Sequence, residues 1–162
     1  MKQPIKKNIK KNIKPSKAKV VKVKTKTKCH PKYGTSKLED DFAKQFLDKL
    51  GVKYEYQFEA KDIGRFYDFY LTEHRLLIEV DGDFWHGNPD KYDQNNLRGH
   101  QKRAQRIDEH KTKWALLHGI PIMHIWEDDI RNNPKKVLNE LKERLNICEK
   151  ENKKKEDKKK RH

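Results

Sequence analysis

Residues 76 to 90 read LLIEVDGDFWHGNPD. The stretch opens as an apolar run of strand type, yet acids recur at every second position from Glu79 through Asp81 to Asp83, with Phe84, Trp85 and His86 directly after. Successive strand side chains point to opposite faces, so Glu79 and Asp81 share a face with Leu77. Upstream, RFYDFYL (65–71) and RLLIEVD (75–81) are separated by Thr72, Glu73 and His74 and read as a hairpin. Pairing across that turn brings Asp68 to Glu79 and Asp81. Three carboxylates in one place raise one another's pKa values unless a cation neutralises them. A hard divalent ion with oxygen ligands resolves the conflict: Mg²⁺, with Mn²⁺ able to substitute. The competing reading is a solvated hairpin edge whose acids pair with Lys or Arg.

Outward from this hairpin, TSKLEDDFAKQFLDKLG (35–51) carries a capping box, Ser36 with Glu39, and an apolar stripe of Leu38, Phe42, Phe46, Leu47 and Leu50 ended by Gly51. KYEYQFE (53–59) alternates Tyr54, Tyr56 and Phe58 against polar neighbours, a half-buried strand. Gly82 to Asp93, with Gly-Asn-Pro inside it, reads as a loop. A long helix follows from about Asn95 to His118, with a stripe of Ala104, Ile107, Lys111, Trp114 and His118 and Leu117 beside it. IPIMHIW (120–126) reads as a strand buried on both faces. NPKKVLNELKERLNI opens a last helix at Pro134 and repeats Val137, Leu141 and Leu145 at helical spacing. The expected fold is α/β, a mixed central sheet flanked by helices.

The net charge of +15 is unevenly spread. Residues 1–32 hold 13 Lys and no acid, and residues 150–162 hold 7 Lys and 1 Arg against 3 acids, whereas residues 33–149 hold 19 bases and 22 acids. Two lysine-rich ends around a near-neutral body suit a polyanion, nucleic acid first. We therefore divide the chain into a DNA-binding arm (1–32, with the alternating VKVKTKTK from Val21 offering Lys22, Lys24 and Lys26), a folded domain (33–148) and a basic tail (149–162), both extensions expected to be disordered. Cys29 and Cys148 lie too far apart for paired zinc-ligand spacing, and neither a signal peptide nor a membrane-length apolar run is visible, which leads us to expect a cytoplasmic protein of a bacterial or phage-infected cell.

His86, held by the aromatic pair Phe84 and Trp85 just past the strand, is placed to act as general base or to orient water. Lys111, on the apolar stripe, can bury its stem and bring its ammonium to the site, to stabilise charge developing on a phosphate. Arg98, Lys102, Arg103 and Arg106 lead into the long helix and suit phosphate contacts.

RFYDFYL, IEVDGDFWHGNP and DEHKTKWALLHGIPIMHIWEDDI together resemble the very-short-patch mismatch repair endonucleases and the related phage and intron homing endonucleases, over roughly residues 35–132. The resemblance implies a restriction-endonuclease-like PD-(D/E)XK core, double-stranded DNA as partner, a metal-binding role for Asp68, the backbone carbonyl of Val80 as a second metal ligand, His86 as the catalytic histidine, and Glu39 as an acid of the first helix near the site. Two departures stand out. Asp81 occupies the position of the usual lysine, so Lys111 or His86 takes over its work, and the cysteines cannot build the zinc site of the mismatch repair enzymes. A homing-type, site-specific endonuclease is therefore expected ahead of a mismatch-directed nicking enzyme, acting as monomer or homodimer on DNA. Two other readings compete. An HNH nuclease built on His86, Asn96 and His100 has too short a gap between the last two, and a non-catalytic basic nucleic-acid-binding protein leaves the facing acids unexplained.

Overall fold

Ser36 begins the described part of the chain as its local chemistry requires. In the computed structural model, which describes residues 36–160, its Oγ accepts the Glu39 amide at 3.2 Å and donates to Glu39 Oε1 at 2.8 Å. Lys22, Lys24 and Lys26, with the rest of the expected arm and Cys29, lie outside the described residues. Helix α1 (Lys37–Phe42) runs through a wider, π-helical stretch at Ala43–Leu47 into α2 (Asp48–Leu50). The wider turn lets both Phe46 and Leu47 be buried beside Phe42.

Four strands follow the expected pattern: β1 (Glu55–Ala60), β2 (Arg65–Leu71), β3 (Leu76–Asp81) and β4 (Ile122–Trp126), in spatial order β1-β2-β3-β4. The first two pairings are antiparallel and β3 pairs with β4 in parallel, so the sheet is mixed. Helices cover both faces. On one, Phe42, Phe46, Phe69, Ile78, Ile125, Val137 and Leu141 form the larger core. On the other, Ala60, Tyr67 and Leu77 pack on Trp114 and Ala115 of helix α4 (Gly99–Leu117).

Four expectations change. First, the doubly buried strand is β3, all six residues of which are buried, whereas β4 lies at the sheet edge with only Ile125 buried. An apolar sequence does not reveal which strand lacks an outer neighbour. Second, Tyr54, Tyr56 and Phe58 do not share a face: the tyrosines pack on the larger core and Phe58 on the smaller. The β1–β2 ribbon turns over at Gln57, whose φ of 52° breaks the strand period. Third, the expected loop from Gly82 contains a helical turn, α3 (Asp83–His86), and α4 starts at Gly99, not Asn95, where the Arg98 amide is capped by Gln101 Oε1 at 2.9 Å. Within α4 the buried positions are Gln101, Lys111, Trp114 and Ala115, while Leu117 and His118 are exposed. Fourth, after α5 (Glu127–Asn132), helix α6 (Pro134–Lys160) continues well past residue 149, where a disordered tail was expected. The Val137, Leu141, Leu145, Cys148 face is simply prolonged, and Asn152 Nδ2 reaches the carbonyls of Glu73 and His74 at 3.4 Å.

Gly87 ends α3 with φ 68°, and a Cβ there would lie 2.8 Å from Leu97 Cδ2. Gly87→Ala is expected to destabilise the fold by about 1–3 kcal/mol in urea unfolding, through left-handed strain and the collision with Leu97. It also loosens the turn carrying His86.

Candidate active site

Strand β3 aims Glu79 and Asp81 at α4, because its opposite face is committed to the larger core through Leu76, Ile78 and Val80. The β2–β3 ladder runs from Leu71↔Leu76 to Phe69↔Ile78. Just beyond it the Asp68 carboxylate takes over, Oδ2 accepting the Val80 amide at 2.7 Å. Lys111 enters from α4, its Nζ 2.5 Å from Glu79 Oε1 and 5.1 Å from the centre of the Tyr67 ring. Tyr67 fixes that turn of α4 by donating its hydroxyl to the Lys111 carbonyl at 2.7 Å. Glu39, half-buried, accepts from the Tyr56 hydroxyl at 2.6 Å, and its charge acts on Asp68.

A second group adjoins the first. His86 Nδ1 lies 2.7 Å from Asp108 Oδ2 and 3.6 Å from Asp81 Oδ1, and Asp81 Oδ2 lies 2.7 Å from His124 Nδ1. Asp81, His86 and Asp108 each offer a ligand atom, all within 4.8 Å of one another. Neither Asp108 nor His124 was among the candidates read from the sequence. Asp108 lies one turn before Lys111 on α4, and His124 interrupts the Ile122, His124, Trp126 face of β4, opposite Glu79 in the parallel register. Both signals are present in the sequence, but the second needs the strand pairing to become visible.

The aromatic pair does not hold His86 as expected. Phe84 and Trp85 are exposed, and α3 is fixed from behind instead: buried Asp83 accepts from Asn88 at 2.7 Å and Lys91 at 2.8 Å, and Gln101 donates to the Phe84 carbonyl at 2.9 Å. His100 packs against Phe84, ring centres 5.0 Å apart, and Asn96 is exposed. Neither joins the group around His86, contrary to the HNH reading. Arg98, whose guanidinium sits 5.5 Å over the Phe84 ring, and Lys102, Arg103 and Arg106 lie exposed on the first half of α4. Of Val80, the structure shows the amide bound to Asp68.

Electrostatics separates these groups by depth. Burial, then the charge of Glu39, pushes Asp68 up to about 7, against the opposing Val80 hydrogen bond and Lys111. Burial and the charge of Asp68 push Glu79 up to about 9 despite Lys111. Burial alone would lower both histidines, but the Asp108 hydrogen bond and Asp81 raise His86, and Asp81 raises His124. All four groups therefore bind protons more tightly folded than unfolded. For the acids, the contribution is fully present below the unfolded pKa of about 4 and is lost as pH rises through the folded values; for the histidines, the stabilisation present below about 6.5 is lost above it. In chelator the melting temperature is therefore expected to fall from pH 5 to pH 9. Divalent cation should recover part of the loss at the alkaline end, where the acids are ionised.

Beside this cluster a groove of about 500 Å³ runs between α4 and β4, bounded by Asp81, His86, Asp108 and His124 and continuing past Trp126. No helix among the described residues is long and apolar enough to cross a membrane. No protein-family model and no curated protein matches the chain. Among solved structures it is similar to the catalytic domain of the homing endonuclease I-Bth0305I, at 20% identity and a TM-score of 0.49, over 70% of this chain and 98% of that one. That likeness is too distant to carry a function.

Proposed function

We propose that the chain is a divalent-metal-dependent DNA endonuclease, a homing-type member of the PD-(D/E)XK nucleases. One observation carries the reading: Asp68, Glu79, Asp81 and Asp108 converge on Lys111 and two histidines, and two of these acids are held far above the ordinary carboxylate range. Such an arrangement is costly unless a cation enters. The donors are mainly carboxylate oxygens with an imidazole beside them, a set suited to Mg²⁺ or Mn²⁺. The resemblance implies Asp68, Glu79 and Asp81, with the Val80 carbonyl, as ligands; among the described residues Asp81, His86 and Asp108 are the group whose ligand atoms lie within 4.8 Å of one another, and an ion held at Asp81 would supply Lewis-acid polarisation of a phosphate and lower the pKa of a bound water.

The chain's own groups do the rest. Asp108 fixes the His86 ring through Nδ1, leaving Nε2 with no partner among the described residues and able to take a proton from water. Lys111 replaces the lysine that Asp81 displaces, its ammonium reaching the site from α4 and offsetting negative charge that grows in the transition state. Arg98, Lys102, Arg103 and Arg106, with the lysine-rich ends, contact phosphates along double-stranded DNA.

Incubating full-length protein with supercoiled plasmid in Mg²⁺ or Mn²⁺, with and without chelator, tests the proposal. Nicked or linear product only with free metal is expected. DNA binding that persists in chelator without cleavage in either ion would point to a non-catalytic binding protein.

A further inference from the structure

The groove beside the cluster has contents that phosphodiester hydrolysis alone does not call for. Its volume, about 500 Å³, falls in the range of sites that take one small molecule. Trp126 and Pro89 give it apolar surface. Gln105 has its amide nitrogen committed to Gln94 Oε1 at 2.9 Å, and Gln94 in turn donates to the carbonyls of Gly87 and Tyr92, each at 2.9 Å. The Gln105 Oε1 that remains is an acceptor held in place by this chain of amides. Glu109, one turn further along α4, adds carboxylate acceptors to the same wall, and Lys113 follows.

Resting on the nuclease reading, we propose that this groove is a nucleotide subsite: it takes one unstacked nucleotide next to the scissile phosphate, its base against Trp126 and its amino-bearing edge toward Gln105 and Glu109. Aromatic surface accepts any base face, whereas fixed acceptors distinguish edges. Adenine, cytosine and guanine each present an exocyclic amine to them. Thymine has no amine and offers only its N3–H between two carbonyl oxygens, so at most one acceptor is paired and the oxygens are repelled. The site thus favours amino-bearing bases at one position, and the subsite needs a strand locally out of its duplex.

Fluorescence-anisotropy titration of labelled dA12, dC12 and dT12 into full-length protein in Ca²⁺ tests this. Wild type should bind dA12 and dC12 about tenfold more tightly than dT12, one good base-edge contact's worth. Gln105→Met and Glu109→Gln, surface changes compatible with folding, should shrink that ratio, while Trp126→Leu weakens all three oligonucleotides. Equal binding of the three by wild type, or a ratio unchanged in both edge variants, overturns the subsite. Either result leaves plasmid cleavage to be judged separately, so failure of the subsite is distinct from failure of the nuclease reading.

Discussion

Asp68→Asn is expected to reduce metal-dependent plasmid cleavage on the order of 10³-fold while raising the melting temperature in chelator at pH 8. The two effects have one cause. Asparagine keeps a side-chain oxygen able to accept the Val80 amide, so the point where β2 leaves β3 stays tied. What disappears is a buried charge that Glu39 and Asp81 repel and that a cation needs. Relieved of that neighbour, Glu79 ionises more readily in its pair with Lys111. A merely structural Asp68 would instead give a variant that melts lower. Differential scanning fluorimetry with and without Mg²⁺ separates these cases, since the variant should also lose most of the metal-dependent stabilisation.

His86→Ala is expected to slow cleavage by about 10²–10⁴-fold with little change in DNA binding, the range for removing a positioned acid–base group. His86 sits on a single helical turn whose anchors are Asp83, Asn88, Lys91 and Gln101, none of them bonded to its ring, so truncation leaves the turn intact. Asp108→Ala should reproduce part of the loss, because the imidazole then lacks its 2.7 Å partner. If the two act as a unit, the double variant is scarcely slower than His86→Ala alone, a non-additivity that single-turnover rates reveal. Independent roles would make the two losses multiply.

Much of this site could be read before any coordinates. A strand period of two is enough to put Glu79 and Asp81 on one face, and a three-residue turn is enough to bring Asp68 opposite them. Lys111 was legible because it falls on the apolar stripe of a long helix. His124 was not, since only a parallel pairing between residues more than forty apart places it beside Asp81. Asp108 was hidden for a different reason: its neighbours Glu109, His110 and Lys113 are exposed, and among them one more polar residue carries no distinguishing mark. The turn-over of the β1–β2 ribbon at Gln57 also resisted reading, because a positive φ at a residue other than glycine leaves no pattern in the sequence. Phe84 and Trp85 misled in the opposite direction, their apolar character suggesting an internal clamp where the structure shows exposed rings beside Arg98 and His100.

The most direct test of the account is a side-by-side incubation of wild type, Asp68→Asn and His86→Ala with supercoiled plasmid in Mg²⁺, with binding to the same DNA followed in parallel. The account predicts relaxed or linear DNA from wild type and almost none from either variant, although all three bind. Cleavage by the variants at the wild-type rate, or no cleavage by any of the three on plasmids carrying a library of target sequences, would contradict it.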